Sequence, residues 1–121
     1  MKIAIVEDSA FMRGLIARTL RRIVPDAELH EFADPVQALK LMPALAPELI
    51  TLDLLMPGLS GLEFLRRIKR KKLAVRVVVV TADVQASIRK KCAAAGAYGF
   101  VEKPVTVAKL RAALAGESPP A

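Results

Sequence analysis

Apolar residues in this chain follow two alternating rhythms: short continuous runs of strand length, and longer stretches in which they recur every three or four positions as on one face of a helix. The first run is residues 2–6, KIAIV. After it Met12, Leu15, Ile16, Leu20 and Ile23 recur at helical spacing, with Arg13, Arg18, Arg21 and Arg22 opposite them, until Pro25 and Asp26 end the pattern. Residues 28–32 alternate in polarity, which predicts a half-exposed edge strand. Asp34-Pro35 then reads as a helix N-cap with proline in the first helical position, and this second helix is predicted to stop near Pro43.

A third strand is predicted over residues 49–53, and a turn over 58–61 leads into a helix with Leu62, Leu65 and Ile68 facing inward. Residues 77–80 are four consecutive valines, and a run with no polar alternation fits a strand buried on both faces of a parallel sheet. The fourth helix, about 84–95, closes at Gly96, which suits a left-handed C-cap position. A fifth strand over 98–102 precedes a last helix carrying Val107, Leu110 and Leu114. Five strand–helix units in succession predict an α/β fold, a parallel sheet covered by helices on both faces. One domain is expected over residues 1–116, with 117–121, which include two prolines, as a flexible tail.

Composition narrows the class without changing the fold. The 121 residues fit one domain large enough to bury a core, and 54% hydrophobic with 26% charged residues is ordinary for a globular protein. The lone cysteine, Cys92, cannot form an internal disulfide and reads as a small core residue; with residues 3–6 too short for a signal-peptide core, a cytoplasmic protein is expected. No stretch approaches the roughly 20 apolar residues of a membrane span. The formal charge of +7 favours acidic partners, but much of it sits in Arg66, Arg67, Lys69, Arg70, Lys71, Lys72 and Arg76, which reads as a solvated helix face and loop. No aromatic side chains interleave these cations to stack on bases, so direct nucleic-acid binding is not expected. His30, the only histidine, has no acidic helix partner and is set aside as a phosphodonor or metal ligand.

In open parallel sheets, ligands bind beyond the carboxyl ends of the strands. Glu7 and Asp8 follow the first strand, Asp53 ends the third, Thr81 ends the fourth and Lys103 follows the fifth. Carboxylates gathered at one edge repel unless a positive charge sits among them. Mg²⁺ answers this need, since it takes oxygen ligands and keeps room for a phosphate oxygen. A carboxylate nucleophile, a metal, a lysine and a hydroxyl together supply what phosphoryl transfer requires.

With those residues in place, the chain resembles the receiver domains of bacterial two-component response regulators, above all the single-domain, CheY-like members. The matching motifs are Val6-Glu7-Asp8, Asp53 followed by Met56-Pro57-Gly58 and Gly61, Val80-Thr81-Ala82, and Lys103-Pro104, and the resemblance spans about residues 2–115. It implies a flavodoxin-like (βα)5 three-layer sandwich with strand order 2-1-3-4-5. It implies that Asp53 takes a phosphoryl group from a sensor histidine kinase or a histidine phosphotransfer protein. Asp8, Asp53 and the backbone carbonyl of Leu55 would ligate Mg²⁺, with Glu7 acting largely through water. Lys103 would pair with the phosphoryl group, beside a cis peptide at Pro104, while Thr81 and Ala82 bind it. As Thr81 moves in, Phe100 would turn into the space it leaves, reshaping the surface of the last two helices and the last strand. Leu55 and Asp83 flank the path of the hydrolysing water and would set the phosphoryl lifetime.

The chain is thus expected to be a monomeric switch that catalyses only its own phosphoryl transfer and dephosphorylation, with a chemotaxis-type or phosphorelay output. Lys90, Lys91, Lys109 and Arg111 on the last two helices suggest an acidic protein target. A phosphohydrolase of the haloacid dehalogenase type would need an acid two residues after the nucleophile, where Leu55 stands, and a flavin carrier would need a phosphate-cradling first loop. The remaining alternative is a constitutive binding module of the same fold, not regulated by phosphorylation.

Overall fold

The computed structural model describes residues 1–117. Its strands are β1 (Lys2–Val6), β2 (Glu28–Phe32), β3 (Leu49–Leu52), β4 (Arg76–Thr81) and β5 (Gly99–Glu102), and its helices are α1 (Ala10–Ile23), α2 (Pro35–Leu45), α3 (Gly61–Arg70), α4 (Ala86–Ala94) and α5 (Val107–Leu114). All strand pairs are parallel and run in the order β2-β1-β3-β4-β5. This is the flavodoxin-like receiver architecture.

Sequence pattern explains where each strand sits. Every residue of β3 is buried, as are all of β4 after Arg76, which is why these runs show no alternation. Mixed ELHEF belongs to β2 at the sheet edge, where no residue is fully buried. Side chains alternate across the sheet, so two cores form. Ala4, Val6, Ile50, Leu52 and Val79 pack under α2, α3 and α4, while Ile3, Ile5, Val78 and Val80 pack under α1 and α5.

Three features of the helices differ from expectation. α2 continues past Pro43 to Leu45 and closes at Ala46, whose N–H donates to the Met42 carbonyl at 2.8 Å from a left-handed conformation, φ 50°. Pro43 costs the helix its bond to the Leu39 carbonyl, and the burial of Leu39 and Met42 against the core offsets that loss. α3 turns inward Phe64, Leu65 and Ile68, with Leu62 only half buried, because its start is fixed by Ser60, whose Oγ accepts from the Glu63 N–H at 3.2 Å. α4 begins at Ala86 rather than 84, since Asp83 holds the Gln85 N–H at 3.1 Å in a turn. Gly96 takes the expected positive φ, 99°, and Cys92 is buried. Most of the predicted tail, residues 118–121, lies outside the described residues. Among the described residues, no helix is long and apolar enough to cross a membrane.

Candidate functional site

The ladder continues one residue past β1 and β3, and this places the acids. Glu7 N–H donates to the Phe32 carbonyl at 3.0 Å and Asp53 N–H to the Val6 carbonyl at 3.1 Å, so two adjacent strands end side by side in carboxylates. Asp8 follows on the exposed rim. Ligand oxygens from Glu7, Asp8 and Asp53 all lie within 4.8 Å of one another. On the other side of the sheet centre the Lys103 N–H bonds the Thr81 carbonyl at 2.9 Å, which carries the β4–β5 pairing on to the lysine.

Charge is arranged around two buried carboxylates, Glu7 at 1% and Asp53 at 5% exposure. The Lys103 ammonium donates to Glu7 Oε1 at 2.9 Å and stands 3.6 Å from Asp53 Oδ1. Burial pushes the Glu7 carboxyl above its usual range; the Ser9 N–H on Oε2 at 3.1 Å and Lys103 oppose that rise, and the Asp53 charge adds to it. Thr81 is fully buried, and its Oγ1 accepts from the Asp83 N–H at 3.1 Å. Ala82 is exposed beside it, and the Lys103–Pro104 peptide is cis. The Leu55 N–H reaches Asp53 Oδ1 at a long 3.5 Å, while the Leu55 side chain is 68% exposed.

Gly61 shows why the loop after Asp53 ends in a glycine. A Cβ there would lie 2.3 Å from the Asp53 carbonyl oxygen and 2.6 Å from Leu54 Cα, and the Gly61 N–H donates to the Leu54 carbonyl at 3.0 Å. The start of α3 is thus packed backbone to backbone against the acid.

Two cations, Arg13 expected on the outer face of its helix and Lys109 expected on a surface for an acidic target, brace the loops of the site. Arg13 Nη1 donates to the carbonyls of Glu7 at 2.9 Å and Asp8 at 3.1 Å, clamping the acidic loop. Lys109 Nζ donates to the carbonyls of Glu102 at 3.3 Å and Pro104 at 3.2 Å, bracing the loop that carries Lys103. Periodicity puts both on outward faces, and only the fold turns them back. The Phe100 ring is buried, 6% exposed, with the Arg89 guanidinium 4.8 Å from its centroid.

The sequence profile of the response regulator receiver domain matches residues 3–115. The chain belongs to that family. It is 32% identical over 114 residues to the cyclic di-GMP phosphodiesterase response regulator RpfG of Xanthomonas campestris, covering 93% of this chain and 30% of that one. It is 37% identical over 116 residues to protein-glutamate methylesterase/protein-glutamine glutaminase 5 of Myxococcus xanthus, covering 92% and 32%. This receiver domain therefore spans about a third of the curated relatives it matches. Among solved structures, the isolated receiver domain of RcsB from Salmonella enterica, determined with the phosphomimetic BeF3⁻, superposes with a TM-score of 0.87 at 25% identity, covering 98% of this chain and 93% of that one. Chemotaxis protein CheY4 of Vibrio cholerae shares the fold, with a TM-score of 0.84 at 24% identity over 94% and 95% of the two chains. Receiver domains bind Mg²⁺ at an acidic pocket and take phosphoryl groups from histidine kinases or phosphotransfer proteins, and this chain has an acidic cluster of Glu7, Asp8 and Asp53.

Proposed function

We propose that this receiver domain is a cytoplasmic phosphorylation switch in which Asp53 is the phosphoacceptor. The carrying observation is the meeting of Glu7, Asp8 and Asp53 within 4.8 Å with the Lys103 ammonium against two of them. A set of carboxylate oxygens with no nitrogen or sulfur donor fits Mg²⁺. Asp8, Asp53 and the Leu55 carbonyl would hold it, with Glu7 acting through water. When bound, the ion neutralises charge on the phosphoryl oxygens.

The protein's own groups account for the rest. An Asp53 carboxylate oxygen attacks the phosphorus of a phosphohistidine, the O–P bond forms as the P–N bond breaks, and the imidazole nitrogen keeps the electron pair. Lys103, bonded to Glu7 at 2.9 Å and 3.6 Å from Asp53, would exchange its Glu7 contact for a phosphoryl oxygen. Thr81 accepts one hydrogen bond from Asp83 and keeps its own O–H to donate. Because Phe100 is buried beforehand, phosphorylation would tighten an inward ring beneath Arg89, changing the surface that α4, β5 and α5 present to a target protein. The same buried ring is the one observation that favours the alternative, a constitutive binding module.

Leu55 leaves the rim beside Asp53 open, and Asp83 is tied into the turn before α4, so these two side chains would set the phosphoryl lifetime. Leu55→Asn is expected to change the dephosphorylation rate several-fold, and an unchanged rate in a chase experiment would sink that role.

Backbone amide NMR with beryllium fluoride tests the switch itself. Shifts at Asp53, Thr81, Ala82 and Lys103 that spread to Phe100 and α4, that need Mg²⁺, and that vanish in Asp53→Asn are expected. Local shifts that never reach Phe100 would favour the constitutive module.

A further inference from the structure

The chain's excess charge is confined to one part of it. Residues 61–98 hold ten of the nineteen lysines and arginines but only two of the twelve acids, Glu63 and Asp83, so this stretch alone exceeds the net +7 of the whole sequence and the remainder is close to neutral. The fold concentrates these cations further. Arg66, Lys69 and Arg70 of α3 and Lys91 of α4 line an open groove of about 500 Å³, completed by Ala94 and Ala95. Lys69 crosses it to donate to the Ala94 carbonyl at 3.2 Å.

Beside the groove, two of its arginines, Arg66 and Arg70, already hold a carboxylate of the same helix. Glu63 Oε1 accepts from Arg70 at 2.8 Å and lies 3.5 Å from Arg67 Nε, with Arg66 3.9 Å from Oε2, so three guanidinium groups gather on one carboxylate. Desolvation raises the Glu63 carboxyl, but Arg70 and then Arg67 outweigh it and hold it below the usual range. Arg66 and Arg70 nevertheless remain 52% and 67% exposed, and Asp83 is the only other acid in residues 61–98. α3 and α4 expose no aromatic and no large apolar side chain, whereas stacking on single-stranded bases or insertion into a bilayer calls for them.

We infer that the α3–α4 groove is a docking site for an Asp/Glu-rich segment of a partner protein, whose carboxylates would compete with Glu63 for Arg66 and Arg70. The site is separate from the acidic pocket and does not depend on phosphorylation of Asp53. It adds a second cationic surface to the one expected on the last two helices, with Lys91 common to both. Lys109 of α5 is bound to loop carbonyls, and α5 packs with α1 on the opposite face of the sheet from α3 and α4.

The test is fluorescence anisotropy of a labelled peptide of about 12 residues alternating Glu and Gly, with the unphosphorylated chain, between about 0.05 and 0.5 M salt. Arg66→Glu, Arg70→Glu and Lys91→Glu combined should weaken binding at least about tenfold, while the equal charge change Arg18→Glu, Arg22→Glu and Lys40→Glu weakens it by less than about threefold. Glu63→Gln should tighten binding several-fold by releasing the arginines, a gain that a misfolded variant would not show. Equal losses in the two triple variants, or a Glu63→Gln that binds no better, would overturn the assignment. So would tighter binding of a duplex DNA of equal charge, or of anionic phosphatidylglycerol vesicles, than of the peptide at the same salt.

Discussion

Removing a carboxylate from water is costly unless partners replace the lost hydration, and at Glu7 the partners fall short of full compensation. The Ser9 N–H and Lys103 both favour its charged form, yet burial, with the Asp53 charge adding to it, keeps the carboxyl above its ordinary value. Folded protein therefore holds that proton more tightly than the unfolded chain. The contribution of Glu7 favours folding below the ordinary carboxylate range and is lost as pH rises through the raised value. In metal-free protein at neutral pH, Glu7→Gln is expected to raise the thermal midpoint, with the gain shrinking as pH falls, while Mg²⁺ affinity drops. A midpoint lowered at every pH would mean that the Lys103 ion pair outweighs the burial. Gly61 works by close approach rather than charge. Gly61→Ala must displace the Asp53 carbonyl, and a loss of about 1–3 kcal/mol in chemical denaturation is expected, together with slower phosphoryl uptake. Unaltered stability would show that the loop yields freely.

At the scale of elements, β3 combines full burial with one unpaired polar atom. Thr51 is 1% exposed, and its Oγ1 has no hydrogen-bond partner among the described residues. Thr51→Val keeps the shape and removes the unsatisfied hydroxyl, so unfolding free energy should rise by about 1 kcal/mol; a fall in a urea melt would reveal a hidden partner. Strands were the easily legible elements because burial writes itself into them: four valines for β4, mixed polarity for the edge β2. Helix ends were less legible, since Pro43 is weighed against Leu39 and Met42 in the core and the inward Phe64 depends on where Ser60 starts the turn. Residues at strand ends could be named from sequence alone because chain order fixes that an acid follows β1 and a lysine follows β5. The supports supplied by Arg13 and Lys109 could not, as each reaches a carbonyl brought near only by folding.

Over the whole molecule, two polar regions of opposite sign share one scaffold. The acidic pocket lies at the carboxyl edge of the sheet, and the cations gather along α3 and α4. The first is the chemical site, with the means to hold a phosphoryl group; the second is a surface with charge and little apolar area. The switch depends on Asp53 as phosphoacceptor. Incubation with a small-molecule phosphodonor, followed by intact-mass measurement and peptide mapping, tests it most directly. One phosphoryl group on Asp53, formed with Mg²⁺, absent with chelator and absent in Asp53→Asn, is the predicted result. No adduct in the presence of Mg²⁺, or an adduct that persists in Asp53→Asn, would contradict it.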